Sequence, residues 1–314
     1  MIHTVCGLIP PEALGFCHSH EHLCILDGQS ARINPALRID DEDLTLRELL
    51  EFKAAGGGAV VDAQPVGCGR GAAALRRLSE KSGVHVIAST GFHKMEFYPA
   101  DHWIFTRDEK QLTDLFCTEL RSGMYLDGDA AFPACRSDIK AGQIKAALGA
   151  GPFHAQYRKL FAAAASAAVA TGAPLMVHIE PGSDVQIPAN FLARQGVNLS
   201  RVIFCHMDRA VPDMSVHTLL CERGITLEYD TIAREKYHSD AREVEIVQCL
   251  LQAGHAGRLL MGLDVTKRRI KAYGGAPGLS YIQTHFLPQL RQCGVEEDAI
   301  QKIFYANPAR IFSF

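Results

Sequence analysis

What this chain has little of narrows it first. Its 10 cysteines are scattered singly, at Cys6, Cys17, Cys24, Cys68 and Cys117 among others, and none forms a CxxC pair. That pattern excludes zinc-finger and thioredoxin-type readings. Lone thiols in a chain of this size are expected to be small buried residues in a reducing compartment, so a cytoplasmic protein is expected. No block of Lys and Arg stands out, and 32 basic residues against 35 acidic ones leave a net charge of −3. Neither nucleic acid nor an anionic membrane is therefore the expected partner. The most apolar window, Leu160 to Ala170 (LFAAAASAAVA), falls short of the ~20 residues that a bilayer requires. The opening MIHTVCGLIPPEALGF carries no basic segment and no A-x-A motif, so secretion is not expected.

What is present is an ordinary globular balance: 314 residues, 47% apolar and 21% charged. A chain this long buries roughly three quarters of its unfolded surface, so neither a disulfide nor a metal is needed to hold it together. Any metal has to be argued from chemistry. Eight short apolar runs recur: 16–23, 58–63, 84–90, 143–148, 174–180, 201–207, 225–230 and 258–264. Several are apolar on successive residues, as in strands of a parallel sheet buried on both faces. Helical stretches lie between them, at Asp43 to Ala54, Ala72 to Lys81, Tyr157 to Ala170 and Asp240 to Ala253. The Gly run at 56–58 reads as a turn into a strand, and GGAPG (274–278) as a loop. No linker divides the chain, so one domain over 1–314 is expected. Eight strand-plus-helix units fit a single (β/α)8 barrel. A doubly wound open sheet has the same local pattern. The barrel is preferred because His, Asp, Glu or Lys sits near the C-terminal end of run after run, where a barrel gathers such residues at one mouth.

His20 and His22 stand at i and i+2 on the first run, and strand alternation puts them on one face. A single HxH pair is weak, but His178, His206 and Asp264 then occur near the ends of the fifth, sixth and eighth runs. Four imidazoles and a carboxylate exceed the three ligands of an open mononuclear zinc site. Two ions would need an anionic bridge as well, and the fourth run offers only Lys145, in AGQIKAAL. A desolvated, neutral amine can take up carbon dioxide and become a bridging carbamate; equally, Lys145 can be an inert side chain. Position alone leaves those two readings open. Lys140, ahead of Gly142, is the weaker rival. His18 shares the parity of His20 and His22 but lies deeper, and is read as a core or supporting residue. Cys17 and Cys24 are assigned no chemistry.

These residues resemble the phosphotriesterase family of the amidohydrolase superfamily over nearly the full length. SHEHL is similar to that family's ligand pair, AGQIK to the segment ending in its carboxylated lysine, VHIEPG and FCHMDR to its two single-histidine strands, and LLMGLD to its strand-eight aspartate. The closing GLSYIQTHFLPQLRQCGVEEDAIQKIFYANPARIFSF is similar to its last helices. Some relatives replace the lysine with Glu; here it is Lys. The resemblance implies a (β/α)8 barrel with a binuclear centre at its C-terminal mouth. The implied ligands are His20, His22, Lys145, His178, His206 and Asp264. The implied cofactors are two divalent ions, zinc with cobalt or manganese as alternatives, and a carbamate on Lys145. It also implies a homodimer. Such a centre yields a bridging hydroxide at neutral pH, with Lys145 holding the metals and Asp264 relaying the proton, and so hydrolyses ester-like bonds.

The substrate class follows from the loops. TGFHKMEFYPADHW (90–103) follows the third run, and Tyr98 is its expected substrate contact, beside His93, Phe97, His102 and Trp103. After the seventh and eighth runs come DTIAREKYHS and DVTKRRIKAYGG, holding Arg234, Lys236, Lys267, Arg268, Arg269 and Lys271, with Tyr237 and Tyr273. Loops in those two places often bind phosphate in barrels, and Arg and Lys suit it. The AREKY and KAYGG stretches also resemble members that open phosphorylated sugar lactones. An anionic, phosphorylated sugar lactone is thus the expected substrate, held by Tyr98, Arg234, Lys236, Lys267, Arg268 and Tyr273. The alternatives are a phosphotriester or amide hydrolase on the same centre, a mononuclear deaminase, and a binding protein that kept the barrel.

Overall fold

The computed structural model describes residues 1–314. Eight parallel strands follow in chain order: β1 (Phe16–Glu21), β2 (Gly57–Asp62), β3 (His85–Gly91), β4 (Gln143–Leu148), β5 (Leu175–Ile179), β6 (Val202–Cys205), β7 (Thr226–Tyr229) and β8 (Leu259–Met261). Each pairs with its sequence neighbour. The sheet closes where β8 meets β1. There Ser19 Oγ donates to the Met261 carbonyl at 2.9 Å, and the Asp264 N–H to the His20 carbonyl at 3.0 Å. An open sheet has no such seam, so the architecture is the barrel.

Seven helices of nine residues or more lie between the strands: α1 (Glu42–Ala54), α2 (Ala72–Ser82), α3 (Glu109–Arg121), α4 (Ala155–Thr171), α5 (Gln186–Arg194), α6 (Met214–Glu222) and α7 (Asp240–Gln252). Their ends are chemically marked. Asp41 caps α1 by accepting from the Leu44 N–H at 3.0 Å, and Asp108 with Gln111 forms a reciprocal capping box on α3. Gly83 and Gly172 end α2 and α4 in the left-handed conformation. A π-helical turn (Ile282–Phe286) runs into a helix over Leu287–Gln292 after β8.

The strands bury both faces, which is why their sequences lack clean alternation. Cys17, Ala59, Val61, Ile87, Met176, Ile203, Cys205 and Leu260 belong to an inner cluster. Ile2, Leu14, Ile311 and Phe312 join it from the two ends of the chain and seal the bottom. Val60, Val86, Ile144, Val177, Phe204 and Leu227 belong to the outer core with Leu49, Phe52, Leu75 and Leu160 of the helices. A short antiparallel hairpin, Ile2–Thr4 with Gly7–Ile9, lies against β3 through the Val5 N–H and the Val86 carbonyl at 2.9 Å.

Two glycines let strands approach at the mouth. Gly91 has φ +99° and pairs with Lys145; a Cβ there would lie 1.9 Å from the Lys145 carbonyl oxygen. Gly262 passes so near β1 that a Cβ would lie 2.8 Å from the His20 carbonyl. Gly91→Ala should cost roughly 1–2 kcal/mol for its backbone conformation and roughly 1–3 kcal/mol for overlap. Urea unfolding measures this: a lower midpoint at unchanged m-value is expected, and a wild-type midpoint would mean that β3 and β4 have slack.

Candidate metal centre at the barrel mouth

Strand β1 does not keep simple alternation. Its pairing with β2 is irregular between His18 and Glu21. Cys17 is in the inner cluster, while His18 turns out against Phe52, ring centroids 4.8 Å apart, and hydrogen-bonds Glu21 at 2.9 Å. Beyond the irregularity His20 and His22 both line the mouth. The parity shared by three histidines in the sequence is thus broken between the first and the second.

His20, His22 and Asp264 bring one donor atom each within 4.8 Å of one another; His22 Nε2 is 3.5 Å and His20 Nε2 3.8 Å from Asp264 Oδ1. Across the mouth His206 Nε2 faces His178 Nδ1 at 2.7 Å. Lys145 Nζ, fully buried on β4, is 3.3 Å from His20 Nε2 and 3.5 Å from each of Met176 Sδ and Cys205 Sγ. Lys140 lies at the other end of the barrel, beside His3 and Arg76.

Three of the four imidazoles are fixed by carboxylates, two from behind and one, His178, from the rim. Glu228 Oε2 takes His20 Nδ1 at 3.0 Å, Asp230 Oδ1 takes His206 Nδ1 at 2.8 Å, and Glu180 Oε1 takes His178 Nε2 at 2.9 Å. Each contact commits one ring nitrogen and leaves the other as a lone pair aimed into the mouth, the orientation metal-binding histidines require. Burial, then Lys145, holds His20 well below the usual imidazole range; burial, then Arg209, does the same to His206. Neutral imidazole is the form that binds metal. Burial opposes the charge on Asp264, yet Arg234, the hydrogen bond to His22 and Arg209 together hold its carboxyl well below the ordinary range. The hydrogen bond from His178, helped by Lys94, brings Glu180 down to about 2. The donor set, its tautomers and its charge therefore fit two adjacent divalent cations.

The mouth is a cavity of about 280 Å³. Arg234 and Lys236 line it, with Arg234 Nη1 3.2 Å from Asp264 Oδ2. Lys267, Arg268 and Tyr273 line a second cavity of about 380 Å³ with Pro35, Ala36, Gly274 and Gly275. Asn34 and Thr266 line the mouth and their chain neighbours Pro35 and Lys267 the second cavity, so the two adjoin. The Tyr273 hydroxyl donates to the Asp41 carbonyl at 2.7 Å and lies 2.9 Å from Thr45 Oγ1. Tyr98 does not reach the mouth: it is 4% exposed, and its hydroxyl accepts the His93 N–H at 2.8 Å, tying the loop down. Arg269 is buried and donates to the Ile232 and Ala233 carbonyls. Arg209 was not singled out in the sequence, although it follows His206 in FCHMDR. It bridges Asp230 at 3.1 Å and Asp264 at 3.0 Å. Glu180 and Lys94, 2.9 Å apart on the rim, were also missed. Only Glu180, directly after the VHI run, had a signal.

Aligned neutral imidazoles beside an ionised aspartate, opening on a polar cavity at the C-terminal ends of barrel strands, define the class: a metal-dependent hydrolase. The model of the phosphotriesterase family matches residues 1–312, and the chain belongs to that family. It is 30% identical to the N-acetyltaurine hydrolase of Bos taurus, over 100% of this chain and 98% of that protein. It is 29% identical to a phospho-furanose lactonase of Mycoplasmopsis synoviae, over 99% and 91%. Among solved structures, an amidohydrolase from Mycoplasma synoviae superposes with a TM-score of 0.95 at 29% identity, covering 100% of this chain and 92% of the other. A lactonase from Listeria monocytogenes gives 0.91 at 28%, covering 100% and 99%.

Asp230→Asn keeps the shape behind His206 but removes the charge. It is expected to weaken divalent-metal binding roughly 10–100-fold, measured by competition with a chromogenic chelator. Unchanged affinity would show that the carboxylate does not tune the imidazole.

Proposed function

We propose that this chain is a lactonase that opens an anionic, phosphorylated sugar lactone. The observation that carries the reading is the basic cavity of Lys267 and Arg268 adjoining the mouth, on the loop after β8, where barrels frequently bind phosphate. Arg268 offers a guanidinium fork and Lys267 a point charge. Lys236, in the mouth, is a further cation on the loop after β7. The likeness to a phospho-furanose lactonase supports the same class. A second reading, hydrolysis of an anionic N-acyl amide, is supported by the likeness to N-acetyltaurine hydrolase.

In the proposed centre His20, His22 and Asp264 together with His178, His206 and Lys145 would hold two divalent cations. Zinc suits this imidazole and carboxylate set. Bound there, two divalent ions supply a nucleophile at neutral pH and polarise the scissile carbonyl. Lys145 would take its part as a carbamate: carbon dioxide adds to the amine, an N–C bond forms and the proton released passes to water in the mouth. The buried Nζ has sulfur and imidazole neighbours and no carboxylate in contact, so no neighbouring anion opposes the carbamate's charge, and the cations it helps to hold would balance it. Asp264 accepts the proton of the attacking water and returns it to the leaving alkoxide. Arg209 and Arg234 hold that carboxylate ionised and aimed.

Steady-state kinetics on a panel of phosphorylated furanose lactones, neutral lactones, a phosphotriester and N-acetyltaurine test the substrate class. The phosphorylated lactones should give the highest kcat/KM, and Arg268→Ala or Lys236→Ala should raise KM for them alone. A higher value for N-acetyltaurine would establish the second reading instead. Lys145→Ala should lose bound metal and turnover together, with partial recovery in added acetate or propionate. Full metal content and rate in that variant would exclude the carbamate.

A further inference from the structure

Arg209 and Tyr237 line the mouth and also a third cavity, of about 230 Å³, that reaches Asp208, His238, Val211 and Met214. Beside it Asp208, His238 and Glu243 each bring one potential ligand atom within 4.8 Å of the others. They come from three separate places: the turn after β6, the end of the loop after β7 and the first turn of α7. Asp208 is held by the backbone, accepting from the N–H groups of Arg209 at 2.9 Å, Asp230 at 2.8 Å and Thr231 at 2.6 Å.

The other two members leave buried polar atoms without a hydrogen-bond donor or acceptor of their own. Glu243 is fully buried, and its carboxylate oxygens accept from no N–H or hydroxyl group, facing only the Asp208 carboxyl and His238. Buried polar groups are nearly always satisfied, and an orphaned carboxylate calls for an ion, a water or a proton. His238 Nδ1 lies 3.2 Å from the Ser239 carbonyl, which can only accept. When Nδ1 donates to that carbonyl, Nε2 faces Glu243 Oε2, 3.3 Å away and without hydrogen-bond geometry. A ring nitrogen and a carboxylate oxygen so placed are held together by positive charge between them, a proton or a metal ion. The adjoining cavity gives an ion a way in.

We propose that Asp208, His238 and Glu243 form a third divalent-cation site, distinct from the six donors of the mouth and suited to Zn2+. An imidazole nitrogen and carboxylate oxygens are donors that Zn2+ accepts, with water completing a four-coordinate shell. The ion ties the turn that carries His206 and Arg209 to the loop that carries Arg234, Lys236 and Tyr237. It thereby fixes the wall of the mouth from behind, so its occupancy governs substrate binding more than the chemical step. The competing account is a proton shared between Asp208 and Glu243. Glu243→Gln separates the two, because the amide imitates a protonated acid and is a poor substitute for a zinc ligand.

The test uses the full chain equilibrated with Zn2+ and then freed of excess ion, with metal counted by mass spectrometry and no substrate present. The result is therefore independent of which substrate the mouth takes. The expected outcome is three equivalents in the wild type and two in both Glu243→Gln and His238→Gln. Two equivalents in the wild type, or three retained by both variants, would overturn the proposal. Should the variants fail to fold, wild-type crystals grown with Zn2+ decide the matter at the zinc edge. An anomalous peak among the three side chains is expected, and none there would overturn the site.

Discussion

Buried carboxylates held behind buried imidazoles are the constraint on which the mouth depends. Glu228 and Asp230 orient His20 and His206, and Glu21 does comparable work on the backbone. Its two oxygens accept from the Leu263 N–H at 2.8 Å and the Val265 N–H at 3.1 Å, on either side of Asp264. Asp62 accepts from the Leu23 and Gln64 N–H groups and so fixes the chain just past His22. A buried carboxyl group without partners is strongly disfavoured, and each of these has at least two. The same contacts that satisfy the carboxyl groups aim the donors. The geometry is therefore set by the closed barrel before any ligand arrives.

The backbone shows where that geometry is demanding. Three residues other than glycine have positive φ: His206 at 66°, Ala233 at 56° and Asp264 at 47°. All three lie in the loops of the mouth, beyond β6, β7 and β8. Such conformations cost of order 1–3 kcal/mol each and persist where surrounding contacts over-determine them. Asp264 is held by the Glu21 contacts and by its own N–H on the His20 carbonyl. His206 is held by Asp230 through ring and backbone alike. The strain thus sits on two of the candidate ligands and on the neighbour of Arg234.

Charge at the mouth is balanced between elements distant in sequence. Arg209 and Arg234 share Asp264, and Arg209 also reaches Asp230. Lys94 joins Glu180 across the rim. These pairs leave Lys236 on the mouth loop and Lys267 and Arg268 next door as cations without a carboxylate in contact, the asymmetry that favours an anionic substrate.

The sequence by itself determined the elements, because each is encoded within a few residues. Doubly buried strands show as continuous apolar runs, α1, α3, α6 and α7 start at Asp or Ser caps, and α2 and α4 stop at glycine. Polar residues near the C-terminal ends of those runs pointed to a barrel with one mouth. The tertiary structure alone decided how side chains met. The irregularity in β1 turned His18 outward and His20 inward, which alternation could not foresee, since the shift arises from pairing with β2 and closing on β8. Tyr98 read as a wall of the pocket because aromatic loop residues often are, but packing beneath the loop claimed it. Lys267, Arg268 and Tyr273 share a loop with the mouth yet face a neighbouring cavity. Arg209, Glu228 and Asp230 draw their importance from partners more than twenty residues away. Local periodicity reports which way a short segment faces, and only ring closure brings distant charges within a few ångströms.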